Sequence, residues 1–343
     1  MNVAINGLGR IGKLFLKACI ERNVPWNIVI NELGDPEYTV YTLKHDSVHT
    51  PFQDPISHDG KNLIIGKRKF LTVHETDPLK LPWKRENIDL VIECTGLFTH
   101  KEDAEKHIKA GARKVLISAP AKGHDCTIIP GVNNADFRKE YKILSAGSCT
   151  TNCASPMIKI LHEAYNLKSA FFVTTHAYTA VQLLVDGHDK KGLSLGRAAA
   201  MNIVPTTSGA AISVVESLPQ LKGKIEGYAL RVPVADGSIT SIIAKVEKKV
   251  STKDVNAVFK RKASNEYKGI VEYSDEPLVS TDIIGNPHSC IFNAHFTQVI
   301  DDMISIAGWY DNEWGYSHRL VDVAQMILES EKFIKKSSSK GRK

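Results

Sequence analysis

The strongest constraint on the fold is local. Gly7-Leu8-Gly9-Arg10-Ile11-Gly12 follows the apolar run Asn2–Asn6 and opens a helical pattern over Arg10–Glu21. A glycine-rich turn between a buried strand and a helix is the phosphate-binding corner of a βαβ unit. Gly7 permits the tight turn, Gly9 lets the backbone approach a pyrophosphate, and Gly12 lets the helix pack close to the strand. The helix start adds N–H groups and the positive end of its dipole, with Arg10 and Ile11 in its first turn. By themselves such glycines also fit a plain βα turn. Glu32 argues against that reading. It lies 32 − 12 = 20 residues past the last glycine, just beyond the strand Asn27–Asn31, where a carboxylate accepts hydrogen bonds from an adenosine ribose. Its charge repels a 2′-phosphate, so NAD is expected over NADP.

The pattern around this corner predicts an α/β fold with a Rossmann-type, doubly wound parallel sheet. After Asn27–Asn31 come helix Glu37–Lys44, strand Asp89–Glu93, helix Lys101–Ala110 and strand Lys114–Ser118. Strands alternating with helices build parallel sheets. Unbroken apolar runs such as Ile28-Val29-Ile30 and Val115-Leu116-Ile117 suit strands covered on both faces. The second half changes character near residue 148. Long β-like runs dominate (Ala170–Tyr178, Glu226–Pro233, Ser238–Val250, Met303–Tyr310), with helices over Thr150–Tyr165, Ser208–Leu218, Lys253–Ala263 and Glu313–Glu331. These predict an α+β domain with a mostly antiparallel sheet packed on helices. The expected organisation is residues 1–148, residues 149–312, a C-terminal helix 313–331 completing the first domain, and a disordered basic tail over 332–343.

Bulk properties narrow the class. At 343 residues, with 43% hydrophobic and 24% charged residues, two proper cores are available. A net charge of +6 suits anionic small molecules and is too weak to argue for nucleic acid as the main partner. Part of it sits in the tail from Lys335 to Lys343, most simply a frayed end, with a nucleic-acid or membrane-surface arm the other reading. The cysteines at 19, 94, 126, 149, 153 and 290 form no disulfide framework and show no zinc-ribbon spacing, so no metal site is expected. A reducing compartment fits, and the first apolar run is too short for a leader or a membrane span, so the cytoplasm is expected.

One cysteine stands apart. Ser148-Cys149-Thr150-Thr151-Asn152-Cys153 precedes Met157, Ile158, Ile160, Leu161 and Ala164, which recur at helical spacing. Cys149 therefore opens a helix, where the dipole is expected to lower its thiol pKa and make it a nucleophile. Cys153, one turn further in, reads as a buried thiol, although the pair also has the look of a metal or redox site. A thiol nucleophile needs a base. His176 ends the run Phe171–Thr175, and an imidazole at a strand end can reach a helix start across the sheet's rim. With 13 histidines in the chain, that placement alone is a weak pointer.

The stretches quoted, with Leu43–His49, Thr174–Thr179, Pro205–Ala211, Arg231-Val232-Pro233 and Trp309–Tyr316 (WYDNEWGY), resemble the glyceraldehyde-3-phosphate dehydrogenase family over nearly the whole chain. The resemblance implies a phosphorylating, NAD-dependent aldehyde dehydrogenase working through a cysteine thioester. It implies a homotetramer, in which a loop after His176 lines the neighbouring subunit's NAD site. It makes Cys149 the nucleophile and His176 its base, and sets Asn312 and Tyr316 beside the nicotinamide. Ser118 joins the cofactor set. Arg231 and Thr179 bind the phosphate of the aldehyde, and Ser148, Thr150, Ser208 and Gly209 belong to the anion sites near the thioester, where inorganic phosphate attacks.

Three departures from the family pattern stand out. Glu32 occupies a position usually held by aspartate, as in the related erythrose-4-phosphate dehydrogenases, the alternative enzyme; Tyr178-Thr179 and Thr206–Gly209 look like the triose enzyme instead. After His176, Ala180-Val181 replaces a usual Asn-Asp pair. Leu193-Ser194-Leu195-Gly196-Arg197-Ala198 replaces Leu-Arg-Arg-Ala-Arg-Ala, so two arginines have become Ser194 and Leu195. In the family, the arginine at the Leu195 slot helps bind the attacking phosphate. An alternative of another class is an RNA-associated or regulatory binding protein on this scaffold; intact Cys149, His176 and Asn312 argue against it.

Overall fold

The computed structural model describes residues 1–190, 192–207 and 209–340, with the backbone alone over 332–340. The chain divides into two compact units. One holds Met1–Ile128, Ala135–Gly147 and the residues from Ser317 on; the other holds Ile129–Asn134 and Ser148–Tyr316.

The first unit begins β1 (Asn2–Asn6), α1 (Arg10–Glu21), β2 (Asn27–Asn31) and α2 (Pro36–Lys44). It continues with β3 (Ile56–His58), β4 (Asn62–Ile65), β5 (Arg68–Val73), β6 (Leu90–Glu93), α3 (Lys101–Lys109), β7 (Lys114–Ile117), β8 (Cys126–Thr127) and β9 (Ile143–Ser145). The sheet order is β3-β4-β5-β2-β1-β6-β7-β9-β8. Pairings from β5 to β8 are parallel, and β3–β4 and β4–β5 are antiparallel. The chain reverses its direction of winding on either side of β1, which makes the ends of β1, β2 and β6 the ligand crevice of such a sheet.

The predicted helices and strands of this unit fall within a residue or two of those observed. Helix α2 starts at Pro36, one residue early, because Asp35 accepts a hydrogen bond from Glu37 N at 2.7 Å and proline suits the first helical position. The β3–β5 meander escaped the sequence reading. Its strands are three to six residues long with no helix between them, so the run Leu63-Ile64-Ile65 does not extend the strand–helix alternation.

A buried polar chain runs beneath the crevice. Trp83 Nε1 donates to His107 Nδ1 at 3.0 Å, which leaves His107 Nε2–H to donate to Glu93 Oε2 at 3.1 Å. Asn6 Nδ2 donates to the same oxygen at 2.6 Å, and Asn31 Nδ2 donates to Asn6 Oδ1 at 2.7 Å. Each member satisfies the next, as burial requires.

The second unit starts with α4 (Cys149–Tyr165), β10 (Leu167–Ala177), β11 (Val204–Thr207), α5 (Ala210–Ser217), β12 (Ile225–Val232) and β13 (Ser238–Val246). It ends with α6 (Thr252–Ser264), β14 (Val271–Ser274), β15 (Cys290–Asn293), β16 (Gln298–Ile300) and β17 (Met303–Tyr310). The order is β11-β12-β10-β13-β17-β15-β14, with β16 on β17. Pairing is antiparallel except for β10–β12 and β14–β15. On β13 the alternation resolves into two faces. Ile242, Ala244 and Val246 are buried, and Ile243 is 56% exposed. The buried face packs on α4 through Met157, Ile160 and Leu161 together with Phe172, Phe292 and Ile306.

Helix α7 runs Trp314–Lys340, beyond the expected end at Glu331 and over most of the stretch expected to be a disordered tail; residues 341–343 lie outside the described residues. No helix among the described residues is long and apolar enough to cross a membrane.

Candidate active site

In the first unit the glycine corner is built as its residue types require. Gly7 has φ +90°, and a Cβ there would sit 2.9 Å from Thr95 Cγ2. A Cβ on Gly12 would lie 2.1 Å from the Gly7 carbonyl, so only glycine lets the helix close on the strand. Gly9 faces open space within 4 Å, on the N-cap of α1. A phosphate can therefore approach the backbone there, beside the first free N–H groups of the helix. The adjoining cleft, about 260 Å³, is lined by Gly7, Gly9, Asn31, Glu32, Thr95 and Phe98 among others. These features fit a dinucleotide.

Glu32 stands on the cleft wall. Its Oε2 accepts from Leu8 N at 2.6 Å and its Oε1 from Gly34 N at 2.9 Å. The carboxylate thus ties the end of β2 to the glycine loop and keeps its remaining lone pairs for a ribose. Arg10 turns away to Asp46 at 2.6 Å, which makes its side chain a brace for the loop. Ser118 Oγ donates to Glu93 O at 2.8 Å, at the end of β7. Ile11 lies in the first turn of α1.

In the second unit Ser148 caps α4. Its Oγ accepts from Thr151 N at 3.0 Å, and Thr151 Oγ1 accepts from Ser148 N at 3.3 Å. That reciprocal cap sets Cys149 at the first helical position. The cysteine Sγ lies 3.3 Å from His176 Nε2, on the penultimate residue of β10. Arg231 sits beside His176 on the neighbouring parallel strand β12, in register. Its Nη1 is 2.6 Å from His176 Nδ1 and 3.2 Å from Ala177 O. Chemically this is a thiol, an imidazole and a guanidinium in line.

The electrostatics correct one expectation. Burial pushes the Cys149 thiol up to about 11, although Arg231 and the Thr150 hydrogen bonds pull the other way. This burial acts in the direction opposite to the helix start, whose dipole favours the thiolate. Burial and the Arg231 charge push His176 down to about 3. Sγ and Nε2 are 3.3 Å apart, so a thiolate can form by handing its proton to the ring.

Other site residues are held as follows. Asn312 Oδ1 accepts from Ser238 Oγ at 2.6 Å, while Ser238 Oγ accepts from Ala177 N at 3.1 Å. The Asn312 amide nitrogen is thereby oriented as a donor. Tyr316 is buried. Thr179 N and Oγ1 donate to Gln182 Oε1 at 2.7 and 2.9 Å. Gly209 precedes α5 with open space around it, and Ser208 lies outside the described residues. Thr150 Oγ1 is spent internally, 2.9 Å from Tyr310 OH, which also meets Thr174 Oγ1 at 2.7 Å. Tyr310 and Ser238 escaped the sequence reading. Tyr310 stood within the quoted WYDNEWGY stretch; no local pattern marks Ser238.

A doubly wound sheet with a dinucleotide corner, joined in one chain to a thiol–imidazole site, defines the class: an NAD-dependent oxidoreductase. Residues 1–101 match the family profile described as the NAD binding domain of glyceraldehyde 3-phosphate dehydrogenase, and residues 148–312 match the C-terminal domain of the same family. The chain is 43% identical over 330 residues to glyceraldehyde-3-phosphate dehydrogenase 2 of Streptomyces avermitilis, covering 95% of this chain and 98% of that one. It is 44% identical over 329 residues to glyceraldehyde-3-phosphate dehydrogenase of Geobacillus stearothermophilus, with coverage of 95% and 98%. The Chlamydia pneumoniae protein of that name is 43% identical over 335 residues, with coverage of 97% and 100%. The chain belongs to the glyceraldehyde 3-phosphate dehydrogenase family.

Proposed function

We propose that this protein catalyses the NAD-dependent oxidative phosphorylation of D-glyceraldehyde 3-phosphate to 1,3-bisphosphoglycerate, a step of glycolysis, through a thioester on Cys149. The observation that carries this reading is the 3.3 Å approach of Cys149 Sγ to His176 Nε2. Within that distance His176 takes the thiol proton as Sγ attacks the aldehyde carbon. The hemithioacetal oxygen is held by His176 and the Cys149 backbone N–H at the helix start. NAD, when bound, supplies the hydride acceptor, leaving Cys149 as a thioester. Gly7, Gly9, Gly12 and Glu32 hold the dinucleotide, with Arg10, Ile11 and Ser118 supporting the corner, and Asn312 and Tyr316 beside the nicotinamide. Inorganic phosphate attacks the thioester carbon, and the sulfur leaves toward a protonated His176. Arg231 and Thr179 bind the aldehyde's own phosphate, with Ser148, Ser208, Gly209 and the backbone of Thr150, whose hydroxyl is taken by Tyr310, serving the anions near the thioester.

The working unit is a homotetramer in the cytoplasm. Support for assembly comes from the outer face of the second unit's sheet, where Phe171, Tyr228 and Ile243 are 61%, 45% and 56% exposed. A face this apolar is ordinarily covered. Sedimentation velocity checks the assembly: a monomer at micromolar concentration rejects it.

The direct test of the reaction is NAD reduction with glyceraldehyde 3-phosphate and, separately, erythrose 4-phosphate, each with and without inorganic phosphate. Faster phosphate-dependent reduction with the triose is expected. No reduction with either aldehyde rejects the assignment.

A further inference from the structure

We propose that Glu93 is a positioning residue for the dinucleotide: its buried carboxylate fixes both sides of the cleft at once, and an amide in its place cannot. The proposal rests on the reading of the glycine corner as the NAD site. Glu93 ends β6 and is 1% exposed. Its two oxygens serve different sides. Oε1 accepts from Thr95 N at 2.8 Å and from Thr95 Oγ1, which itself accepts from Leu97 N at 3.1 Å. Thr95 is also the first residue that a Cβ on Gly7 would meet, so the glycine turn leans on it. Oε2 accepts from Asn6 Nδ2 and from His107 Nε2. Asn6 Oδ1 in turn accepts from Asn31 Nδ2, and Asn31 clamps the segment after β5. Its Nδ2 donates to Glu75 O at 2.9 Å and its Oδ1 accepts from Glu75 N at 3.0 Å. Thr95 and Leu97 line the cleft from the β6 side, Asn31 and Glu75 from the β2 side.

The direction of each hydrogen bond is set at the two ends of the chain. An indole N–H only donates, so Trp83 makes His107 Nδ1 an acceptor and leaves the ring proton on Nε2. At the far end the backbone carbonyl and N–H of Glu75 fix the Asn31 amide, and Asn31 Nδ2 then turns Asn6 Nδ2 toward Glu93. Thr95 N, Thr95 Oγ1, Asn6 Nδ2 and His107 Nε2 therefore all donate to one side chain. An ionised carboxylate has about four lone-pair sites and no proton, so it accepts every one. A glutamine has one oxygen. With its NH2 in the place of Oε2 it faces Asn6 and His107, and neither can reverse. The amide settles instead with its nitrogen toward Thr95, whose hydroxyl can accept but whose backbone N–H cannot. Donor then faces donor in a buried site, and the β6 side of the cleft is released while the β2 side stays held. A wall that is not held must be ordered by the ligand, which costs affinity.

The test is calorimetric titration of the full chain with NAD and with ADP-ribose, which carries the same adenosine diphosphate and no nicotinamide. Glu93→Gln is expected to bind both about 10- to 100-fold more weakly. KM for NAD should rise by the same factor while kcat at saturating NAD changes by less than about threefold, a split that a mere loss of folded protein does not produce. A variant that binds either ligand within about twofold of wild type overturns the proposal, as does a fall in kcat with KM unchanged. Nitrogen-15 histidine spectra of the wild type decide the matter even where Glu93→Gln folds poorly, with His107 identified by its loss in His107→Asn. The His107 ring is expected to carry its proton on Nε2 and none on Nδ1. A proton on Nδ1 reverses the chain and overturns the proposal. Tight binding of NAD by the wild type with no loss in the variant sinks only this proposal, and a wild type that binds neither ligand sinks the reading of the glycine corner and the proposal with it.

Discussion

Arg10 and Asp46 meet at 2.6 Å in the nucleotide-binding unit, joining the first turn of the glycine-loop helix to the segment after α2. Burial alone would raise the Asp46 carboxyl, but the Arg10 hydrogen bond and the backbone N–H groups of His49 and Val48 outweigh it and hold it at about 2. The pair is mostly shielded, with side chains 29% and 11% exposed. A carboxylate depressed from 3.8 to about 2 contributes about 2 kcal/mol of stability at neutral pH. That contribution is present above the unfolded value and is lost as pH falls through 2. Asp46→Asn should therefore lower unfolding stability by about 2 kcal/mol at pH 7, with the difference from wild type shrinking below pH 4. Urea titrations across pH measure it. An unchanged difference down to pH 2 would rule out the ion pair as its source.

Cys149→Ser should reduce dehydrogenase turnover by at least about a thousandfold, because a hydroxyl gives up its proton far less readily than a thiol and is a poor nucleophile without a strong base. Cys153→Ser should retain activity within about tenfold. Cys153 Sγ is buried 3.6 Å from Gly308 O, where a serine hydroxyl can donate to the same carbonyl. Equal loss in the two variants would show that the cysteines act as a unit and would remove Cys149 from its separate role.

Glu32 does two jobs that substitution can separate. Glu32→Ala removes both the charge and the acceptor for Leu8 N, so NAD binding should weaken by about 10- to 150-fold and the gap to NADP should narrow. Glu32→Gln keeps an acceptor for Leu8 N and loses the charge, so it should recover part of the NAD affinity while still tolerating NADP better than wild type. Steady-state constants for both cofactors provide the check. A wild-type protein that uses NADP as well as NAD contradicts the role given to Glu32.

The incoming-phosphate site should be weak. Val181 is 60% exposed, Ser194 Oγ donates to Pro205 O at 3.3 Å, and Arg197 is paired with Asp186 at 3.0 Å. None of these offers a cation where the family pattern has one at the Leu195 slot. Losing a charge-assisted contact to an oxyanion corresponds to about a 10- to 150-fold weaker site. Leu195→Arg should lower the Michaelis constant for inorganic phosphate by that order. A native constant in the low millimolar range or below, unimproved by the arginine, would mean that Lys190, Arg197 or Lys191, which lies outside the described residues, supplies the charge.

Features governed by neighbours in sequence were legible without a structure. The glycine corner is one, since turn conformation and helix start depend on residues within a few positions of each other. Strand β1, helix α1 and strand β2 match their predicted limits, and Ser148 before an apolar periodicity marked the start of α4 one residue from where it begins. What tertiary structure alone decided depends on residues distant in the chain. The His107–Glu93–Asn6–Asn31 hydrogen bonds join α3, β6, β1 and β2, and no local pattern announces them. Tyr310 reaches Thr150 and Thr174 from a strand far along the chain. The protonation of Cys149 is the sharpest case. Its position in sequence places it at the positive end of a helix dipole, which favours a thiolate. Its packing against the second unit's core adds a desolvation that raises the thiol, an influence opposite to that of the dipole. Dipole and cap follow from the order of residues, whereas dielectric and charge around a side chain follow from what the whole fold folds against it.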